Sequence, residues 1–154
     1  MFNSLGQTVT GAAVLDLFAG TGRLGIEALR RGARRAVFVE YDATRARGIR
    51  RALQHEGLED LAAVRREDAL AAVEGMARAG ESFDLVVLDP PYGQGWLTRA
   101  VSSIVASRLL SPGGTVVAEG HWRDRPDLPE GFVVAREARY GETVLWFVRR
   151  QEQP

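Results

Sequence analysis

Short apolar runs alternate along the chain with stretches in which apolar residues recur every three or four positions. The runs are Ala13–Leu17, Ala36–Glu40, Ala62–Arg65, Phe83–Leu88 and Thr115–Glu119. Bounded by turn signals, such runs read as strands buried on both faces. Between them, Leu24, Ala28 and Leu29 share one helical stripe, and Ala46, Ile49 and Leu53 a second. Leu70, Val73 and Ala77 form a third, and Leu97, Val101, Ile104 and Val105 a fourth. The punctuation agrees. Asp42 and Asp68 stand where N-caps belong, Gly32, Gly57 and Gly80 where helices stop, and Ser111-Pro112-Gly113-Gly114 closes the fourth stripe. This alternation predicts an α/β fold with a mostly parallel central sheet and helices on both faces. The last segment breaks the pattern. Phe132–Arg139 and Glu142–Arg149 flank Tyr140-Gly141 with no helix between them, which predicts a C-terminal antiparallel hairpin.

A chain of 154 residues with 45% hydrophobic content is long enough for one domain with a real core. That domain is expected over 13–150, after a lead-in over 1–12 and before a tail over 151–154. No apolar run approaches the ~20 residues that span a bilayer, and MFNSLGQTVTG has neither the basic nor the apolar part of a secretion signal. No membrane role is expected, and the expected compartment is the cytoplasm. The absence of cysteine excludes disulfides, thiol nucleophiles and thiolate metal sites. His55 and His121 lie far apart in sequence, so no metal is expected. Net charge is zero, and bulk charge therefore does not signal nucleic-acid binding. All 20 basic residues are arginine. Arginine's planar fork suits phosphate and base stacking, although the compositional bias of a GC-rich genome explains the preference equally well.

Candidate chemistry begins at Leu15-Asp16-Leu17-Phe18-Ala19-Gly20-Thr21-Gly22-Arg23-Leu24-Gly25, which follows the first strand and opens the first helix. Gly20, Gly22 and Gly25 spell G-x-G-x-x-G, a dinucleotide fingerprint in this context. Glu40 ends the second strand, where a carboxylate can take the ribose hydroxyls of an adenosine. NAD and S-adenosylmethionine both carry adenosine. Asp16 separates them, because a carboxylate beside the loop repels a pyrophosphate and suits a sulfonium and an ammonium. Glu67-Asp68 follows the third strand, where Asp68 can accept from an adenine amino group, cap the next helix, or do both through different oxygens. The fourth strand delivers Asp89-Pro90-Pro91-Tyr92. An exocyclic amine on a base is a poor nucleophile because its lone pair is delocalised into the ring. The Asp89 carboxylate and the Pro90 carbonyl can accept its two N–H groups, Pro91 offers no competing donor, and Tyr92 can stack a flipped base. Asp16, Gly20, Glu40, Asp68 and Asp89 all fall at the carboxyl ends of strands, where open parallel sheets bind ligands.

With these residues in order, the chain resembles the class I S-adenosylmethionine-dependent methyltransferases, whose fold is Rossmann-like. Within them, VLDLFAGTGRLGIEALRRGA, FVEYD, FDLVVLDPPYG and the closing RYGETVLWF resemble the RsmD family over Ala13–Arg149. The resemblance implies N2 methylation of a guanine in small-subunit (16S) ribosomal RNA, as naked RNA or assembled subunit, by a monomer without a metal. It implies cofactor contacts at Asp16, Gly20, Glu40 and Asp68 and catalytic contacts at Asp89, Pro90 and Tyr92. The full candidate sets are Asp89, Pro90, Pro91 and Tyr92 for catalysis, and Asp16, Phe18, Ala19, Gly20, Thr21, Gly22, Glu40, Tyr41, Asp68 and Ala69 for S-adenosylmethionine. Family members carry a basic segment, Arg-Pro-Thr-x-x-x-x-Arg-x-x-x-Phe-Asn. The chain opens at Met1-Phe2-Asn3-Ser4-Leu5, where that segment would end, so a lead-in without it is expected. Other acceptors open to the same motif are adenine-N6 in DNA and a protein glutamine amide. Readings of another class are an NAD-dependent oxidoreductase and a non-catalytic RNA-binding module.

Candidate RNA contacts at the site edge are Arg23 after the glycine loop, Gln94 and Arg99 after the tetrapeptide, and Trp122 and Arg123 after the fifth strand. Trp96 and Trp122 could equally be packing residues. Arg30, Arg31, Arg34 and Arg35 span the first helix's C-terminus and the second strand's entry, the sheet edge opposite the site. There cations suit the helix dipole. Arg45, Arg47, Arg50 and Arg51 lie on a helix that starts near the site, and either role is open to them.

Overall fold

The computed structural model describes residues 9–93 and 95–152. Residues 1–8, Gln94 and 153–154 lie outside them, and so do the start of the lead-in and the Gln94 contact. Strand β1 (Ala13–Leu17), helix α1 (Arg23–Arg30), β2 (Arg35–Val39), α2 (Ala43–His55), β3 (Ala62–Arg65), α3 (Ala69–Arg78), β4 (Phe83–Leu88), α4 (Trp96–Ala106) and β5 (Leu110–His121) alternate as the pattern predicts. The hairpin follows as β6 (Phe132–Tyr140) and β7 (Thr143–Arg150). The sheet runs β3-β2-β1-β4-β5-β7-β6. The first five strands pair in parallel, and β7 enters antiparallel between β5 and β6.

The apolar stripes decide the layers. α1 and α2 set Leu24, Ile26, Leu29, Ile49 and Leu53 against Val14, Phe38, Val87 and Val117 on one face of the sheet. α3 and α4 set Val73, Met76, Val101 and Ile104 against Leu15, Leu17, Val86 and Leu88 on the other. The Asp42 carboxylate accepts from Arg45 N at 2.9 Å and that of Asp68 from Ala71 N at 3.0 Å, so both caps form. Among the described residues no helix is long and apolar enough to cross a membrane.

β2 starts and ends one residue earlier than expected, which leaves Glu40 just past its end, and two further boundaries differ. β5 begins at Leu110 rather than Thr115, because Phe83 pairs with Leu110 while Leu85 pairs with Thr115. Burial of Leu109 and Leu110 and a Phe83 N–H donated to Leu109 O at 2.8 Å anchor the early start. Ser111-Pro112-Gly113-Gly114 is therefore a bulge inside a strand, and α4 has already ended at Ala106. At the hairpin Tyr140 still pairs with Thr143, which moves the turn to Gly141-Glu142.

Chain order reverses at β1, whose neighbours β2 and β4 lead the chain outward in opposite directions. In doubly wound sheets the crevice beyond the strand ends at this switch point is where ligands bind.

Candidate functional site

A cleft of about 820 Å³ opens at that switch point, within the size range of small-molecule sites. Every proposed catalytic residue lines it, and so does every proposed cofactor residue except Gly22. Gly22 instead ends the loop beneath the cleft. Its φ of 79° and its Cα, against which an added Cβ would meet Ile49 at 3.0 Å, fit it for the turn into α1. Gly25 allows close packing, since a Cβ there would sit 2.3 Å from Phe38 Cε1.

The carboxylates hold this edge together. Asp16, only 2% exposed, accepts from Gly25 N at 2.9 Å and so ties β1 to the first turn of α1. Burial raises its pKa from 3.8 to about 7, against the opposing Gly25 hydrogen bond; Asp89 and Glu40 raise it further and Arg23 lowers it. Glu40 accepts from Gly20 N at 2.7 Å through one oxygen and from Asp42 N at 2.8 Å through the other. It thereby fastens the glycine loop to the end of β2. Phe18 is held at φ 61°, a conformation unusual outside glycine that clusters at functional sites. Its ring meets Trp96 edge-on at 6.0 Å.

Asp89 faces the cleft at the end of β4. Partial desolvation pushes its carboxyl above the usual carboxylate range, and Arg23 pulls it back. Pro90 is buried while Pro91 and Tyr92 are exposed, with Tyr92 at 63%. A smaller cavity of about 200 Å³ lies on the other side of Pro90-Pro91-Tyr92, bordered by Trp96, Thr98, Glu119 and Arg123. The tetrapeptide therefore forms a wall between two hollows.

The donor set fits one of the two adenosine cofactors better. Six carboxyl side chains line the main cleft (Asp16, Glu40, Asp42, Glu67, Asp68 and Asp89) against two guanidiniums, Arg23 and Arg45. Such a lining repels a pyrophosphate and suits the sulfonium and ammonium of S-adenosylmethionine.

The remaining candidates separate by place. Arg23 lines the main cleft and Arg123 the smaller cavity. Arg99 stacks over Trp96, 4.6 Å from the ring centroid. Trp122 is 41% exposed, with Arg123 at 4.9 Å and Arg139 at 5.3 Å from its ring. Arg30 pairs with Glu56 at 2.7 Å, Arg31 with Glu27 at 3.1 Å and Arg35 with Glu81 at 3.4 Å. These are structural pairs at the edge away from the cleft. Of the second arginine group, Arg45 reaches the cleft while Arg50 donates to Val64 O at 3.2 Å. Sequence reasoning passed over Glu119 and Arg139. Glu119 closes the fifth apolar run, and the rule that singles out Asp16, Glu40 and Asp89 at strand ends applies equally to it.

A sheet of this order, with its reversed seventh strand and a cleft at the β1–β4 switch point, is the class I methyltransferase fold. Solved structures agree. A protein of Escherichia coli, yhhF, provisionally described as a methyltransferase, superposes with a TM-score of 0.89 at 27% identity over 99% of this chain and 84% of its own. A conserved hypothetical protein of Streptococcus pyogenes superposes with a TM-score of 0.85 at 31% identity over 97% and 92%. The chain belongs to the RsmD family, described as "Conserved hypothetical protein 95", whose model matches residues 1–149. YlbH of Bacillus subtilis, provisionally named an rRNA methyltransferase, is 37% identical over 146 residues, 93% of this chain and 78% of that protein. Ribosomal RNA small subunit methyltransferase D of Haemophilus influenzae is 31% identical over 143 residues, 92% and 73% respectively.

Proposed function

We propose that the protein is an S-adenosylmethionine-dependent methyltransferase that acts on the exocyclic N2 amine of a guanine in small-subunit ribosomal RNA, free or assembled into the subunit. The observation that carries this reading is the tetrapeptide wall. Asp89 and Pro90 line the same cleft as Asp16, the glycine loop and Glu40, so amine acceptors and cofactor cradle face one another. The names of the relatives supply the RNA class.

When bound, S-adenosylmethionine supplies a methyl group on a positively charged sulfur. Glu40 offers the remaining lone pairs of its two braced oxygens to the ribose hydroxyls, and Asp68 offers the oxygen not used by Ala71 N to the adenine amine. Asp16 provides negative charge beneath the loop. On the acceptor side, the Asp89 carboxylate and the Pro90 carbonyl take the two N–H groups of the guanine amine. This draws the lone pair out of the ring and holds the nitrogen toward the cleft where the methyl donor would bind. Taking the methyl group from the sulfonium, which would depart as a neutral thioether, would leave an extra proton on the nitrogen. Asp89, held above the usual carboxylate range, is suited to receive it. Tyr92 gives the flipped base a stacking face. Positioning and preorganised acceptors carry the rate.

Labelled methyl transfer to small-subunit RNA, and to subunits lacking the modification, tests this by nucleoside analysis. N2-methylguanine is the expected product. A protein that binds S-adenosylmethionine yet yields no N2-methylguanine on either substrate overturns the reading, and N6-methyladenine instead would move the acceptor class.

A further inference from the structure

Three carboxyl groups stand in a row along the carboxyl edge of the sheet. Asp16 is on β1, Asp89 follows β4 and Glu119 is near the end of β5, and these strands are adjacent. The last register pair of these strands is Leu88 with Ala118, so Asp89 leaves β4 beside Glu119, one residue beyond strands that lie about 4.8 Å apart. Leu88 and Ala118 belong to the core beneath α3 and α4. Strand alternation therefore turns Glu119 to the opposite face, toward the start of α1, where Arg23 lies. The electrostatics agree: Glu119 responds to both Asp89 and Arg23.

Asp16 and Glu119 flank Asp89 from opposite sides, and they differ in what they do. The Asp16 carboxyl is committed to Gly25. The half-buried Glu119 carboxyl accepts no hydrogen bond from the described residues. Glu119 also borders the smaller cavity, next to Pro90 and Tyr92. Burying an acceptor without a donor is costly, and a donor on the substrate would satisfy this one.

We infer that Glu119 is a specificity-determining residue that accepts the ring N1–H of the guanine whose N2 amine is held by Asp89 and Pro90. This deepens the proposed function and rests on it. The cofactor occupies the β2–β1 side of Asp89, which leaves the β5 side for the base. In guanine the N1–H lies beside the amine and points the same way as one of its N–H bonds. A base held by its amine at Asp89 thus presents N1–H to the next strand. Adenine and 2-aminopurine carry a bare lone pair at the ring nitrogen beside their amine, which a carboxylate repels. A site built to accept a hydrogen bond rejects an analogue lacking the donor far more strongly than an apolar pocket rejects a size change.

The test uses small-subunit RNA in whichever form the wild type methylates, with the methylated guanine replaced by 2-aminopurine through ligation. That analogue keeps the C2 amine and lacks N1–H. Wild type is expected to lose at least about 30-fold in kcat/KM on the analogue, as for a hydrogen bond to a charged group. Glu119→Gln keeps an amide oxygen for guanine and gains an NH2 for the bare nitrogen of 2-aminopurine. Its guanine-to-analogue ratio should fall to within about 5-fold of one. Glu119→Ala should lose about 30-fold on guanine while its S-adenosylmethionine affinity, read by calorimetry, stays within about threefold. A purely structural role would slow both substrates together and leave the ratio unchanged in both variants, which overturns the inference. Absence of guanine methylation by the wild type would instead overturn the reading on which it rests.

Discussion

Asp16 provides a direct test of the electrostatics of the cleft in the protein without ligand. Burial raises its pKa from 3.8 to about 7. A carboxyl raised in the folded state contributes stability that is fully present below its unfolded value. That contribution is lost as pH rises through the folded value, because above it the chain folds only by burying a charge. The window therefore runs from about pH 4 to about pH 7. At about 1.4 kcal/mol per pH unit, the span from 3.8 to about 7 is worth about 4 kcal/mol as an upper bound. Asp16→Asn keeps an oxygen for the 2.9 Å bond from Gly25 N and removes the titration. Urea unfolding of both proteins at pH 5, 6, 7 and 8 reads the difference, since every other ionisable group shared by the two largely cancels. The variant should gain on the wild type steadily up to about pH 7, reaching roughly 2–4 kcal/mol, and then hold level. At pH 8 the variant should also bind S-adenosylmethionine at least about tenfold more weakly, for want of the negative charge. A stability difference that stays flat from pH 5 to pH 8 would show that Asp16 is ionised throughout, and the burial argument would fail.

Asp89→Ala should reduce methyl transfer about a thousandfold while calorimetric affinity for S-adenosylmethionine stays within about threefold; parallel loss of both would contradict its placement on the acceptor side. Gly25→Ala would set a Cβ 2.3 Å from Phe38 Cε1. Phe38 is fully buried and cannot give way cheaply, so urea unfolding should show a loss of about 1–3 kcal/mol. Trp122→Ala removes the ring that Arg123 and Arg139 stack upon, and filter binding should show RNA affinity weakened roughly tenfold, with S-adenosylmethionine affinity unchanged.

The parts of the fold legible in the sequence are those in which local and global demands coincide. Asp42 and Asp68 cap helices with their own side chains, and the apolar stripes of α1, α2 and α4 are buried as read, whereas α3 is rotated from its expected stripe: it buries Ala69, Ala72, Val73 and Met76 and leaves Leu70 half-buried. The start of β5 was hidden because Pro112-Gly113-Gly114 is breaker chemistry whether it ends a helix or opens a bulge. Only the pairing of Phe83 with Leu110 decides between them. In the site, polar residues at the ends of apolar runs mark the cleft, since an apolar strand has no local reason to carry Asp16 one residue before its end or to run into Glu40 or Asp89. The motif does not show why position 22 must be glycine: a Cβ there would meet Ile49 and Phe38, a crowding that only the packing of distant segments reveals.

Arg23 shows where motif and physics part company. It occupies the first turn of α1 behind a left-handed Gly22, and a cation there opposes the helix dipole by about 0.3–1 kcal/mol. Capping does not explain it, and arginine's good helix propensity would be met as well by a neutral residue. What its charge faces does: it lowers the pKa of Asp16, Asp89 and Glu119 alike. Each of the three is raised by burial, and Asp89 in the middle raises both Asp16 and Glu119 further. One guanidinium at the rim thus offsets the crowding of three carboxyls that the strand ends bring together. The consequence for the acceptor is direct. A neutral Asp89 could offer only its carbonyl oxygen freely and would carry a hydrogen of its own, whereas the ionised form accepts from an amine through either oxygen. An arginine read from the sequence as an RNA contact therefore has an electrostatic duty inside the cleft before any RNA arrives.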